Sequence, residues 1–600
     1  MAIIHLSGTQ LAPKKTKAPL NRRFMYAVGF VYLIAMHFYL PNLGGLGLSL
    51  PFNLMTWFGL SLALSMGLYQ AATKQIVRYS KLTIGLFISC IIITIPLFYS
   101  FSPNINFALP RLIALWLGLI LFIVLQQFSL SNAHKQRLLW FIVLSVVIEA
   151  AFGYVQLFLL KPGNLFGYDT LINRPYGIFQ QINLMVSFLA TGIVISAYLL
   201  ARQQRKYGEK ISRVTLLYLI PLISTPIIVV LTSRTGWVIT LISVLMITPY
   251  LFRFSTTKRF IGWVSSLVAG VGLGLFIAYS SGHIDHITGE ENIASTRQTV
   301  LPQSIDMFIE KPFTGYGYGR FEAEYILYTA RQHQLNTNYP AGIQDTAHPS
   351  NEVLFWGVEG GIIPVLGIIL AAILILYRIY STRKGTRLAI LGLLMPIALH
   401  AQLENPFSQS AIHWITFIIL LFWVDQRTAK YKKVSLKQLS KLTLRASSLL
   451  LPLLITSIVF LSLHTNQVLL TFHKAFPKQV AILDNIISPV WKSEQVSWQK
   501  YSTRLRTGLI NKNPQPIYEY IQWALDSIKS KPTEGLYRNL ILAYLGIGEV
   551  SKAEQIRSEA NFLFPDIDFS MISIEPIFTA ANTTMVEEAE HLEPSNSDTK

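Results

Sequence analysis

An all-α polytopic membrane protein with about thirteen transmembrane helices is the fold class this sequence predicts, and three observations carry the prediction. Hydrophobic residues make up 52% of the 600 and charged residues only 14%, whereas soluble domains carry about 25% charged residues. Apolar runs close to the ~20 residues that cross a bilayer recur thirteen times. The segments between them alternate between basic and neutral. The formal net charge of +19 would suggest a nucleic-acid partner on a soluble chain. Here it belongs to orientation, because cytoplasmic membrane loops collect Lys and Arg, and no nucleic acid is expected. A single cysteine, Cys90, excludes an intramolecular disulfide framework and a Cys-rich metal site.

The runs fall at 25–41, 51–70, 82–99, 109–128, 138–160, 180–201, 215–231, 237–252, 260–279, 353–377, 388–402, 410–424 and 446–463. The short ones at 388–402 and 410–424 are open to being tilted, broken or partly re-entrant. Lys14, Lys15, Lys17, Arg22 and Arg23 precede the first run; Lys74, Arg78 and Lys81 follow the second; Arg202, Arg205, Lys206, Lys210 and Arg213 follow the sixth. Arg378, Arg383, Lys384 and Arg387 follow the tenth, and a basic stretch from Arg427 to Arg445 follows the twelfth. The positive-inside rule then puts the N-terminus in the cytoplasm and the C-terminus outside. Arg22 and Arg23 directly precede a long run with no A-x-A-like site, so no cleavable signal peptide is expected.

The expected layout is a cytoplasmic N-terminus over 1–24 and a transmembrane domain over 25–463 with an outer loop at 280–352. An outer helical domain follows over 464–584, then a disordered acidic tail over 585–600. Within the outer domain, Leu536 to Pro565 resembles one tetratricopeptide-type helix pair, with Ala543, Gly546, Ala553 and Pro565 at fitting spacing. The end, with Glu587, Glu588, Glu590, Glu593 and Asp598, is too acidic and apolar-poor to bury a core.

Four polar segments fall on the outer side: Arg174 to Asn183 with Gln180 and Gln181, Thr232 to Trp237, Thr346 to Glu352, and His400 to Phe407. Arg234 lies in a short turn on the side that positive charge avoids. It can pair with an anionic ligand, for which a guanidinium offers a bidentate fork, or snorkel to lipid phosphate or a loop carboxylate. His348 precedes Pro349, which predicts a helix start there. Its imidazole is either a general base near neutral pH or a capping residue. Asn351 and Glu352 follow on the same face and can orient a ring or substrate, or satisfy first-turn backbone donors. Glu149 and Glu359 sit inside apolar runs, as functional groups or as buried interhelical hydrogen-bond partners. Gly315-Tyr-Gly317-Tyr-Gly319 follows no strand and opens no phosphate-binding helix, so it is not read as a nucleotide loop. Neither H-E-x-x-H, nor G-x-x-x-x-G-K-[ST], nor a paired acidic metal motif such as D-x-D in an outer loop occurs, so no metal and no cofactor is expected.

At these segments the chain resembles the O-antigen ligase/polymerase superfamily, most closely the bacterial protein O-oligosaccharyltransferases of the PglL type that glycosylate pilins. Arg174 to Asn183 is similar to that family's R-x-x-G-x-x-x-Q-x-N, and Ser233-Arg234 with Gly236 to its S-R-x-G. Pro312 to Phe321 resembles its P-x-x-G-x-G-x-G-x-F, and His348 to Glu352 with Glu359 and Gly361 its H-x-x-N-E…E-x-G. The resemblance covers roughly 170–425. Ile182 stands where the family often has proline, and Glu404-Asn405-Pro406 where it commonly reads Glu-Tyr-Pro, so no tyrosine role carries over.

The resemblance implies a GT-C-like glycosyltransferase in the bacterial inner membrane. Such an enzyme moves a glycan en bloc from an undecaprenyl-pyrophosphate carrier to a Ser/Thr hydroxyl of a periplasmic or pilin-like protein. The donor is already activated, so the reaction needs a cation for the leaving pyrophosphate and a base or positioner for the hydroxyl rather than a metal. Arg234, with Arg174 and Arg297, takes the first role and His348 the second. Gln180, Gln181, Asn183, Asn351, Glu352, His400 and Glu404 bind substrate. The alternatives are an O-antigen ligase or polymerase with a sugar hydroxyl as acceptor, and a lipid-carrier transporter, which would show interrupted, duplicated halves.

Overall fold

The computed structural model describes residues 20–41, 47–100, 105–170, 174–203, 211–280 and 291–573. The basic residues Lys14, Lys15, Lys17, Arg205, Lys206 and Lys210 and the acidic end at 585–600 lie outside them. The membrane portion runs α1 (Asn21–Leu33), α2 (Pro51–Lys74), β1 (Ile76–Tyr79), α3 (Lys81–Thr94), α4 (Ile105–Gln127), α5 (Asn132–Phe158), α6 (Ile182–Ala201), α7 (Ile211–Val230), α8 (Arg234–Phe254) and α9 (Thr257–Ser280). Two helices of the outer loop follow, α10 (Glu291–Glu310) and α11 (Phe321–Leu335). The chain then continues through α12 (Glu352–Gly360), α13 (Ile362–Tyr380), α14 (Arg387–Leu403), α15 (Pro406–Gln409), α16 (Ala411–Asp425), β2 (Lys432–Ser435) and α17 (Gln438–Lys474). The C-terminal helices are α18 (Ser493–Asn511), α19 (Pro514–Ser530), α20 (Glu534–Gly546) and α21 (Val550–Leu563).

Each of the thirteen apolar runs coincides with helix, and among the described residues ten helices are long and apolar enough to cross a membrane. The other three are α1, α2 and α16. Helices α1 and α16 are short, and α2 is diluted by Asn53, Thr56, Ser61, Ser65 and Gln70. The chain is an all-α multi-pass membrane protein. Among the described residues one small sheet pairs β1 with β2 antiparallel, Ile76 opposite Ser435 and Tyr79 opposite Lys432. That sheet holds two basic connections together at the end of the bundle opposite the four polar segments.

Helix α6 is the pillar of the bundle, packed by α5, α7, α8 and α14, with every residue from Leu184 to Ala201 buried. It has no charged residue, and two of its hydroxyls bond back to their own helix, Thr191 to the Ser187 carbonyl at 2.8 Å and Ser196 to the Ile193 carbonyl at 2.7 Å, while Tyr198 meets Trp423 and Arg427 of the chain after α14. An apolar interior therefore receives no unpaired polar group from it.

The run expected as one span at 353–377 is two helices. Gly361, at φ 73°, breaks it, and a Cβ there would lie 2.3 Å from the Phe313 carbonyl oxygen. The backbone of the Gly-Tyr-Gly segment closes over the break. Tyr316 and Gly317 donate to the Val358 and Glu359 carbonyls at 2.9 and 2.8 Å, and Ile362 donates to Pro312 at 2.7 Å. The regular glycines thus serve a helix clamp. Outside the bundle, α10, α11 and α12 share one apolar core with α18 to α21, including Val300, Met307, Tyr325, Ile517, Tyr520 and Tyr537.

Candidate active site at one end of the bundle

The segment that enters α6 is held from below by two polar side chains of α5. Glu149 accepts from the Ile178 N–H at 2.8 Å, and Gln156 accepts from the Tyr176 and Gly177 N–H groups at 3.0 and 2.8 Å. Glu149 therefore serves as a backbone acceptor for a turn that has no helix or sheet to satisfy it. Gly177, at φ 62°, is required twice over, since a Cβ would fall 1.6 Å from Glu149 Oε1. Gln180, in the left-handed region at φ 55°, turns its amide to the Leu40 carbonyl at 3.0 Å, which directs Gln181 and Asn183 toward the bundle's centre.

What they meet is Glu404, which follows α14 and is buried. Its Oε1 accepts from Asn183 Nδ2 and from Arg297 Nη2 at 2.9 Å; its Oε2 accepts from Gln181 Nε2 at 3.2 Å and faces His400 Nε2 at 3.1 Å. Four elements thus converge on one carboxylate. Burial alone would raise the Glu404 pKa, but His400, Arg297 and Asn183 outweigh it and hold the group below the usual carboxylate value.

The turn between α7 and α8 adds the cations. Ser233 caps α8 by accepting from the Gly236 N–H at 3.0 Å and reaches Asn183 with its hydroxyl. Arg234, the first residue of α8, is exposed at that helix's N-terminus. Arg174 donates to the Leu231 carbonyl at 2.9 Å and to the Thr232 hydroxyl, and Arg297 donates to the Thr235 hydroxyl at 2.9 Å. Three guanidinium groups therefore flank one short turn. Arg297 spends one nitrogen on Thr235 and one on Glu404, while its buried Nε has no hydrogen-bond partner among the described residues. Positive charge gathered around a helix N-terminus, with unspent donors, suits an anion carrying several oxygens.

His348 lies beside this group. The helix start inferred from Pro349 is displaced: Asn351 is the N-cap of α12, accepting from the Leu354 N–H at 2.8 Å and donating to the Gln402 carbonyl at 2.9 Å. Pro349 lies in the turn before it. His348 Nδ1 accepts from the Ser350 N–H at 3.4 Å, and its Nε2 is 2.8 Å from the Gln409 amide. The amide atom that meets it is the nitrogen, so the neutral ring, which carries one N–H, is contacted by a donor at each nitrogen. Burial pushes the imidazole below its ordinary pKa, so the neutral ring dominates at pH 7. Glu352 accepts from the Phe407 and Ser408 N–H groups at 3.0 and 3.2 Å, tying α12 to the 404–410 loop.

The structure thus brings Gln181, Asn183, Arg297, His400 and Glu404 into one hydrogen-bonded group, with Arg174 and Arg234 on the adjoining turn and His348, paired with Gln409, within the field of the Glu404 carboxylate. Gln180, Asn351 and Glu352 are engaged with backbone. Reading the sequence alone passes over Thr235, Gln409, Ser187, Ser410 and His413. Of these only His413, an ionisable residue in an apolar run, carries a signal visible in the sequence. Among the described residues no group of three His, Cys, Asp or Glu side chains is arranged to hold a metal ion.

Fold and site together define a multi-pass membrane protein with an arginine-rich polar centre at one end of its bundle. Three family models match the chain: one described as O-antigen ligase over residues 219–369, one as protein glycosylation ligase over 175–200, and one as the C-terminal part of virulence factor membrane-bound polymerase over 388–574. No curated protein matches. Together these matches support the O-antigen ligase/protein glycosylation ligase superfamily and, with it, a glycosyltransferase-like ligase that passes a glycan to an acceptor.

Proposed function

We propose that this chain transfers a glycan en bloc from an undecaprenyl-pyrophosphate carrier to a Ser/Thr hydroxyl of a periplasmic or pilin-like protein, at the outer face of the bacterial inner membrane. The observation that carries the reading is the set of Arg174, Arg234 and Arg297 around the turn at 231–235, beside the anchored carboxylate of Glu404. The layout that goes with it has residues 1–24 cytoplasmic, the membrane domain over 25–463, and residues 464–584 outside. The pairing of β1 with β2, both in Lys/Arg-bearing connections at the other end of the bundle, supports that orientation.

In this mechanism the acceptor oxygen attacks the anomeric carbon as the bond from that carbon to the pyrophosphate oxygen breaks. The acceptor proton goes to His348, and undecaprenyl pyrophosphate leaves with the bonding pair. The neutral ring takes the proton on its lone-pair nitrogen, and the 3.4 Å contact from the Ser350 N–H to Nδ1 is long enough to be exchanged for an acceptor hydroxyl. Arg234 and Arg297 stabilise the charge that develops on the leaving phosphate. The guanidinium groups supply the electrostatic role a divalent ion would otherwise fill, so transfer is expected to need no metal.

The match to a polymerase C-terminal region favours a second reading, in which the acceptor is a sugar hydroxyl. One assay separates them: membranes containing the protein receive lipid-linked donor with both a pilin-like protein and lipopolysaccharide core, and products are weighed by intact mass. Glycan on the protein, lost about 100- to 1000-fold in Arg234→Ala and largely lost in Arg234→Lys, is the expected result. Transfer to core sugar alone would establish the second reading. An unimpaired Arg234→Ala would overturn the assigned role of that residue.

A further inference from the structure

Behind Glu404 the hydrogen bonding does not stop. His400 Nδ1 is 2.7 Å from Ser187 Oγ, Ser187 Oγ is 3.0 Å from His413 Nε2, and His413 Nδ1 is 2.8 Å from Ser410 Oγ. All four side chains are fully buried. They come from α6, α14, α16 and the residue that begins α16, so the chain of bonds crosses the bundle interior at the place where three helices meet.

Glu404 can only accept, so His400 Nε2 turns an N–H toward it. On the other side of the ring, Ser187 Oγ lies within hydrogen-bond reach of both His400 Nδ1, at 2.7 Å, and the Leu184 carbonyl, at 3.1 Å. Ser187 Oγ is also 3.0 Å from His413 Nε2, which lies 3.1 Å from the Leu184 carbonyl. The far nitrogen of His413 meets the Ser410 hydroxyl. That hydroxyl is available because Ser410 does not cap α16; Asn53 Oδ1 accepts from the Ala411 N–H at 2.8 Å in its stead.

We infer that Ser410, His413 and Ser187 form a positioning relay that holds the His400 ring with Nε2 on the carboxylate and thereby aims Glu404 at Arg297 and Asn183. The inference rests on the functional reading above and adds to it three residues that never touch substrate. Without the relay, the His400 ring loses the contact that fixes its plane on the side away from Glu404. Glu404 then loses its anchor, and Arg297 its fixed seat.

The test measures glycan transfer by the full-length protein in membranes for Ser187→Ala, Ser187→Thr and His413→Gln, each also in a Glu404→Gln background. Ser187→Ala is expected to lower kcat by about 10- to 100-fold, the range for partners that orient a working histidine, with the donor KM unchanged. Ser187→Thr keeps the hydroxyl and should restore transfer. In the Glu404→Gln background, Ser187→Ala should add less than about twofold, because the residue it acts through is already altered. Equal losses in both backgrounds, or Ser187→Ala within twofold of wild type, would overturn the relay. Thermal unfolding in detergent reports insertion, and if Ser187→Ala fails to fold, His413→Gln is read by the same two-background criterion. A wild-type protein inactive toward every acceptor would instead overturn the functional reading, and the relay with it.

Discussion

Glu352 is a residue whose charge and geometry pull in opposite directions. Burial pushes its carboxyl up to about 7, although Arg111 and the Ser408 and Phe407 N–H groups favour the ionised form. A carboxyl with a raised folded pKa is protonated more readily in the native state than in the unfolded one. The fold is therefore favoured at low pH, and that contribution is lost as pH rises from the ordinary value near 4.5 through about 7. Glu352→Gln keeps an oxygen for both N–H groups and carries no charge, so its melting temperature should gain on wild type across that window. Glu352→Ala, which leaves two donors unmet, should melt lower at every pH by an amount corresponding to about 1–3 kcal/mol per donor. A Glu352→Gln protein whose difference from wild type is flat between pH 4.5 and 8 would show that the carboxyl is not buried against its charge. The sequence shows the residue types of the centre, because Arg, His, Gln and Glu on an outer face announce themselves. It does not show that Gln181 rather than Gln180 reaches Glu404, since a left-handed φ at Gln180 decides that. Ser187 carries no signal either, because a serine in an apolar helix ordinarily bonds its own preceding turn.

At the scale of elements, helices were legible wherever hydrophobicity ran long enough to cover a bilayer, and breaks were not. The interruption at Gly361 depends on backbone donors and acceptors from residues 312–317, some fifty positions upstream, and no local pattern at 353–377 encodes them. The loop before α6 is similar. Its path is set by Glu149 and Gln156 on α5, which a reading of that helix alone leaves as either functional or structural. Gly177→Ala tests the dependence directly. A residue forced into the left-handed region costs roughly 1–2 kcal/mol, which Gly163→Ala, at φ 78° with no neighbour within 4 Å, should show on its own. Gly177→Ala adds a collision with the Glu149 carboxylate and should lose considerably more stability, together with transfer activity. Equal melting temperatures for the two variants would mean that the loop can shift away from α5 without cost.

For the molecule as a whole, the important feature is that the outer loop and the C-terminal helices are built around one core. Tetratricopeptide-like spacing in α20 and α21 reads from the sequence as a module with a protein-docking surface, and it contains no sign of what lies against it. In the fold, Ile517, Tyr520 and Tyr537 pack into the same cluster as Val300 and Met307 of α10 and Tyr325 of α11. Lys531 adds an ion pair to Glu322 on α11 at 3.2 Å. Burial opposes its charge, but Glu322 and Glu494 outweigh that and hold its pKa above the ordinary lysine value. Helix α10 also carries Arg297, so the tail supports the element that delivers a guanidinium to Glu404. Removing residues from 511 onward should therefore do more than weaken recognition of a protein acceptor. It exposes the apolar face of α10 and α11 and should lower transfer to peptide, sugar and water alike. A milder change makes the same point without truncation: Ile517→Ala, at a fully buried site, should cost about 2–5 kcal/mol of stability. Its loss of transfer should be the same for a folded pilin-like protein and for a short peptide acceptor. If instead the peptide reaction stays at wild-type rate while the protein reaction falls, the C-terminal helices serve acceptor docking alone, and Arg297 holds its place without them.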